Sequence, residues 1–118
     1  MKCLFCYQEL HDGEQHYHAA CAKRFFGSPV IPSMPYSQAD IRELAKQVVR
    51  SHTTVTGVQA KLSMDIEHTN QISRLTIVDQ GGKYILKPQT PQYPYLPEIE
   101  DLTMHLAQSV KIDVVPHA

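Results

Sequence analysis

Between Ser37 and Ser51 the apolar residues Ile41, Leu44, Ala45, Val48 and Val49 recur at the spacing of one helical face, which predicts a helix of roughly four turns. Ser37 can cap it, and Asp40 places a carboxylate in the first turn, near the positive end of the helix dipole. From Thr53 the period drops to two: Val58, Ala60, Leu62 and Met64 alternate with Gln59, Lys61, Ser63 and Asp65, as a half-buried strand requires. Two further strand-like runs follow, Leu75 to Val78 and Lys83 to Lys87, divided by a turn at Gln80, Gly81 and Gly82. Three successive strands joined by short turns predict an antiparallel sheet. After Pro97, the residues Ile99, Leu102, Leu106 and Val110 line one stripe of a second amphipathic helix. The closing "KIDVVPHA" reads as one more short strand.

The chain before Ser37 has neither period. Residues 1–27 are rich in Cys and His with short, broken apolar runs, too little to bury a core unaided. In "SPVIPSMPYS" the residues Pro29, Pro32 and Pro35 exclude regular helix or central strand and predict an extended connector. The expected organisation is a Cys/His knob over 1–27, a connector with its helix over 28–52, and a sheet-bearing subdomain over 53–118, an α+β chain. No internal repeat or low-complexity tract interrupts it.

Composition removes several function classes. At 118 residues the chain holds one modest domain, or a small domain beside a metal-stapled knob, and not a two-lobed enzyme. Lys plus Arg is 11 against 12 for Asp plus Glu, a formal net charge of -1. A phosphate-backbone partner therefore gets no support from charge, and a zinc-ribbon nucleic-acid binder has the right cluster with the wrong charge. The apolar run after Met1 breaks at Gln8 and Glu9, too soon for a signal-peptide core, and no run of about 18 apolar residues occurs elsewhere. These features predict a soluble, cytoplasmic protein with no membrane partner.

All three cysteines fall within the first 21 residues, and three cannot all pair within one chain. "CLFC" gives Cys3-x2-Cys6, and "HYHAAC" gives His18-x2-Cys21. Two thiolates on a tight turn, with an imidazole and a third thiolate from the next element, form the closed tetrahedral set that structural zinc favours. His16 competes with His18 for the fourth place, and His11 is a further candidate. The x2 spacing to Cys21 mirrors the first pair and favours His18. A redox-active or merely reduced CxxC is the alternative, but no thioredoxin-like βαβ pattern surrounds it.

Two charged residues frame the end of the chain. Lys87 closes a strand and Glu100 stands early in the next helix, on the flank of its apolar stripe near Met104 and away from Asp101. Taken alone they fit a solvated edge lysine and a glutamate serving the helix dipole. Their order is also that of the kinase lysine and its helix glutamate, which together fix the phosphates of ATP. "TVTGVQAK" carries a single glycine, Gly57, where phosphate loops usually carry two or three.

The runs "VTGVQAKLSMDI", "YILKPQTPQYPYLPEIEDLTMHLA" and "KIDVVPHA" resemble the N-terminal part of HipA-like serine/threonine kinases, the toxin half of bacterial toxin-antitoxin pairs. "CLFC" with "YHAACAKRFFG" is similar to the Cys/His knob that some members carry ahead of the kinase fold. The resemblance spans nearly the whole chain, the connector helix least, and implies a kinase N-lobe-like sheet with one αC-like helix. It implies Lys87 as the ATP-phosphate lysine, Glu100 as its partner, and Gly57, Val58 and Gln59 as the loop over the nucleotide. Thr54 and Thr56 stand where the family carries autophosphorylated residues, and a phosphate there would repel those of ATP. Ala60 replaces the family's usual proline. No H-R-D or D-F-G pattern occurs before Ala118, so the chain is expected to lack the catalytic lobe and to be inactive alone. The implied cofactors are structural Zn2+ and, in the complete kinase, Mg-ATP. The implied partner is a catalytic lobe or a second kinase chain, with a DNA-binding antitoxin beyond it. The other reading is a standalone, non-catalytic module, a split-kinase subunit or antitoxin-like component, that docks onto such a kinase and regulates it.

Overall fold

The computed structural model describes residues 1–51, 60–79 and 81–118, the side chains of 48–51 aside. Its architecture is α+β, as the patterning predicts. In chain order come α1 (Ala19–Phe26), α2 (Gln38–Ser51), β1 (Leu62–Thr69), β2 (Ile72–Ile77), β3 (Tyr84–Leu86) and α3 (Leu96–Ser109). These fall into two compact units, one of Met1–Pro32 with Glu98–Ala118 and the other of Ser33–Pro97.

The sheet belongs to the second unit and has the order β2-β1-β3, antiparallel throughout. β1 is central because it carries the best period-two pattern: Leu62 and Met64 are buried at 2% and 1% exposure while Lys61 stays in solvent. The part of that alternation contributed by Val58 and Gln59 lies outside the described residues. The β1–β2 hairpin turns on Asn70 and Gln71, with φ of 49° and 64°. Two consecutive left-handed residues match the right-handed twist of the flanking strands. Of the turn expected at residues 80–82, Gln80 lies outside the described residues. Gly82 donates its N–H to Ser63 Oγ at 3.0 Å, and a Cβ there would meet the Met64 carbonyl oxygen at 2.3 Å. Only glycine lets the chain pass that close to β1 on its way to β3.

Ser37 caps α2 as expected. Its Oγ accepts from the Asp40 N–H at 3.1 Å, and Asp40 Oδ2 accepts from the Ser37 N–H at 2.8 Å, a reciprocal capping box. Ile41, Leu44 and Ala45 turn to the less exposed side, and α2 packs on β1. The connector is more than a spacer. Ser33 exchanges backbone hydrogen bonds with β2, to the Ser73 carbonyl at 3.0 Å and from the Leu75 N–H at 2.8 Å. Tyr36 Oη accepts from the Ile77 N–H at 3.1 Å. Together they occupy donors and acceptors of an edge that would otherwise invite a foreign strand.

One expectation is corrected in the first unit. Residues 112–118 form no strand, since no described strand lies alongside to complete a ladder. The apolar stripe of α3 faces solvent. Ile99, Leu102, Leu106 and Val110 are 56%, 49%, 59% and 68% exposed, whereas Asp101, Met104 and His105 are half-buried. The polar flank of α3 is spent on hydrogen bonds to the Cys/His segment, which leaves the stripe in solvent. Among the described residues no helix is long and apolar enough to cross a membrane.

Candidate metal centre and phosphate-binding residues

The N-terminal ten residues fold back on themselves. Cys3 N–H donates to the Gln8 carbonyl at 2.8 Å, Tyr7 N–H to the Cys3 carbonyl at 2.9 Å, and Leu10 N–H to the Met1 carbonyl at 2.9 Å. Tyr7 takes a left-handed φ of 62° to close the turn. This knuckle presents Cys3 and Cys6 on one side. The other two donors come from the start of α1: His18 is its N-cap and Cys21 lies within its first turn. Glu14 Oε1 accepts from the Ala19 N–H at 3.2 Å, satisfying a helix-end donor that His18, its ring engaged elsewhere, leaves open. Gly27 ends the helix at φ 79° and donates to the Lys23 carbonyl at 2.9 Å.

Cys3, Cys6, His18 and Cys21 bring one ligand atom each to within 4.8 Å of one another. His18 Nδ1 is 3.4 Å from Cys6 Sγ and 3.7 Å from Cys21 Sγ. Metal–sulfur and metal–nitrogen bonds of about 2.3 and 2.0 Å at a tetrahedral angle place such atoms about 3.5 Å apart, so the spacing fits. The other ring nitrogen, Nε2, is 2.9 Å from the Glu9 carbonyl. Donation there fixes the tautomer and leaves the Nδ1 lone pair to the metal. The structure thus places His18 with the three cysteines. His16 takes a left-handed φ of 64° and stays exposed. His11 forms a different group with Glu14 and His18, which draws on an imidazole already engaged.

The electrostatics of the metal-free cluster call for a cation. Burial alone would raise Cys3. Backbone N–H groups of Cys6, His18 and Phe5, with the Cys6 thiol, outweigh it and bring its pKa to about 6. Cys21 goes the other way, pushed up to about 12 by burial and by the Cys6 and Cys3 sulfurs. The His18 imidazolium is favoured by the Glu9 carbonyl against the effect of burial, and then by the Cys3 thiolate and Glu14. Glu14 itself is held low, first by the His11 N–H. A lowered Cys3 beside a raised Cys21 and a raised His18 is how three crowded sulfurs and an imidazole respond to one another without a metal. A divalent ion would let all three sulfurs ionise.

The expected phosphate-binding residues are only partly in view. Lys87 follows β3 directly and is half-buried in the second unit. Glu100 is half-buried on α3 in the first unit, on the side that carries Met104. Gly57, Val58 and Gln59, and the candidate phosphosites Thr54 and Thr56, lie outside the described residues. The sequence reading missed a second polar group, Asp101, His105 and His117. An Asp and a His four apart on one helix face were its available signal.

No protein-family model matches the chain. The chain is similar to a protein of Haemophilus influenzae described as "Putative kinase", with 32% identity over 83 residues. That match takes in 70% of this chain and 23% of the other, so the chain spans under a quarter of its relative's length. The similarity supports a kinase-related role.

Proposed function

We propose that this chain is the ATP-phosphate-binding part of a HipA-like serine/threonine protein kinase of a toxin-antitoxin system, its N-terminal knob held by a structural zinc ion. The observation that carries the reading is the order of elements. A lysine follows the third strand of an antiparallel sheet, a glutamate stands early on the next helix, and the chain is similar to part of a longer kinase-described protein. In this reading Lys87 holds the α- and β-phosphates of Mg-ATP and Glu100 holds Lys87. Gly57, Val58 and Gln59 cover the nucleotide, and phosphorylation of Thr54 or Thr56 opposes its binding. The aspartates that accept the substrate proton and bind magnesium come from a catalytic lobe, so the chain alone turns nothing over. At the knob, three thiolates and one imidazole fill all four positions of a tetrahedral zinc, which makes that ion structural.

The exposed stripe of α3 supports a second reading, a non-catalytic module that docks onto such a kinase and regulates it. One experiment separates the two. The chain is combined with the catalytic lobe, from the same frame or a neighbouring one, and phosphoryl transfer from ATP is measured with Lys87 and with Lys87→Ala. The nucleotide-site reading expects a complex that forms normally and loses activity by about a hundredfold or more. Full activity with alanine leaves only the docking role, and absence of a complex removes both.

A further inference from the structure

Far from the cysteines in sequence, the first unit gathers a second set of metal-binding atoms. Asp101 and His105 are four apart on α3, and His117 returns from the tail so that the three ligand atoms lie within 4.8 Å of one another. His117 Nδ1 is 2.5 Å from Asp101 Oδ1, and His105 Nδ1 is 3.6 Å from Asp101 Oδ2. All three side chains are 23% exposed or less. Neighbours hold two of the three ligands, Asp101 and His105, in place. Tyr7 Oη donates to Asp101 Oδ2, and the Tyr7 ring stacks on His105 at 3.7 Å between centroids and 11° between planes. His105 Nε2 is 3.0 Å from the Phe5 carbonyl.

The His105 ring has an unresolved account. A neutral imidazole donates from one nitrogen only. When Nε2 donates to Phe5, Nδ1 turns a bare lone pair towards the Asp101 backbone carbonyl at 3.0 Å and the carboxylate beyond it. A second ring proton or a metal ion is what would fill the space between that lone pair and the two acceptors. A carbonyl partner on the far nitrogen and a hydroxyl on the far carboxylate oxygen are the outer contacts that orient metal ligands.

The geometry points to a second metal site, formed by Asp101 Oδ1, His105 Nδ1 and His117 Nδ1 and separate from the cysteine centre. Two imidazoles and one carboxylate select a borderline divalent ion such as Zn2+, Co2+ or Ni2+ over Mg2+ or Ca2+, which prefer all-oxygen shells. The metal takes the place of the proton shared by His117 and Asp101, and that pair opens to admit it. Three protein ligands leave at least one position open. His105 and His117 also line a cleft of about 270 Å³, together with Arg24 and Gln108. Water completes the shell there, and the Arg24 guanidinium suits the cleft to a small anion. The ion ties α3 and the tail to the Tyr7 turn of the knuckle. This inference does not depend on the kinase reading.

The test is a Co2+ titration of the whole chain after chelator treatment under reducing conditions. Two equivalents are expected, one with thiolate-to-metal charge-transfer absorption and one without. His117→Ala and Asp101→Asn should each abolish the second equivalent and keep the charge-transfer band, which also reports that the knob has folded. Tyr7→Phe should weaken the second equivalent by about 10- to 100-fold, as loss of an orienting partner does. A single equivalent in the wild-type chain overturns the site. So does a second equivalent that survives in a folded His117→Ala or Asp101→Asn protein.

Discussion

At the scale of single residues, Cys3 and Cys21 set how the metal-free chain responds to pH. Cys3 is lowered from the usual 9 to about 6, so its thiolate stabilises the folded state fully above pH 9, and that contribution is lost as pH falls towards 6. Cys21 is raised to about 12. Its thiol form favours folding below pH 9, and the benefit is lost as pH climbs from there to 12. Tyr7, raised from 10 to about 12 by burial and by its bond to Asp101, adds a loss in the same direction above pH 10. Thermal melts with chelator and reductant should therefore rise from pH 6 to a maximum near 9 and fall beyond it. With Zn2+ bound, all three sulfurs are thiolates and the fall above 9 should shrink. Acid should instead release the metal, because protons compete for the same ligands. Cys6→Ser should leave the chain short of one metal equivalent and open residues 1–27 to protease. A resistant N-terminus in that variant counts against a structural role for the ion.

At the scale of elements, α2 and β1 rest on local devices that mutation can weigh. Ser37→Ala should cost about 1 kcal/mol, read as a shift in denaturant midpoint with unchanged slope. Leu62→Ala, at a site 2% exposed, should cost about 2–5 kcal/mol. A cost below 1 kcal/mol for Leu62 would mean that the sheet's inner face is not its core. These two elements were legible in the sequence because their signals are short-range: a cap within three residues, a stripe of period 3.6, an alternation of period two. The cysteine cluster was legible for the same reason, since each pair of its ligands is three apart. What the sequence hid depends on distant partners. The placement of β3 beside β1 rather than β2 rests on Gly82 passing over Met64. The Asp101, His105 and His117 group relies on Tyr7 and Phe5, more than 90 residues away in the chain. The stripe of α3 was legible as a stripe, while the side it turns to was not. Periodicity reports that a helix has an apolar face, and not which neighbour covers it.

At the scale of the whole molecule, the described residues bury little. Among the described residues the buried apolar side chains are Cys3, Ala22 and Pro32 in one unit and Leu62, Met64 and Pro88 in the other. Cores this small are commonly reinforced by metal or by association. Ile99, Leu102, Leu106 and Val110 offer the second route, because covering four side chains that are 49–68% exposed would release on the order of 5 kcal/mol. In the proposed kinase the cover is the catalytic lobe. The double change Leu102→Glu with Leu106→Glu puts two charges into that contact while touching neither cysteine cluster nor Asp101. It should leave the melting temperature and metal content of the isolated chain unchanged and weaken the complex with the catalytic lobe by about a thousandfold, at 1.4 kcal/mol per decade. Calorimetric titration of the two parts measures this directly. Unaltered affinity would show that the lobe docks elsewhere and that the stripe is not the contact. A lowered melting temperature in the isolated chain would show instead that the stripe already serves this chain's own fold.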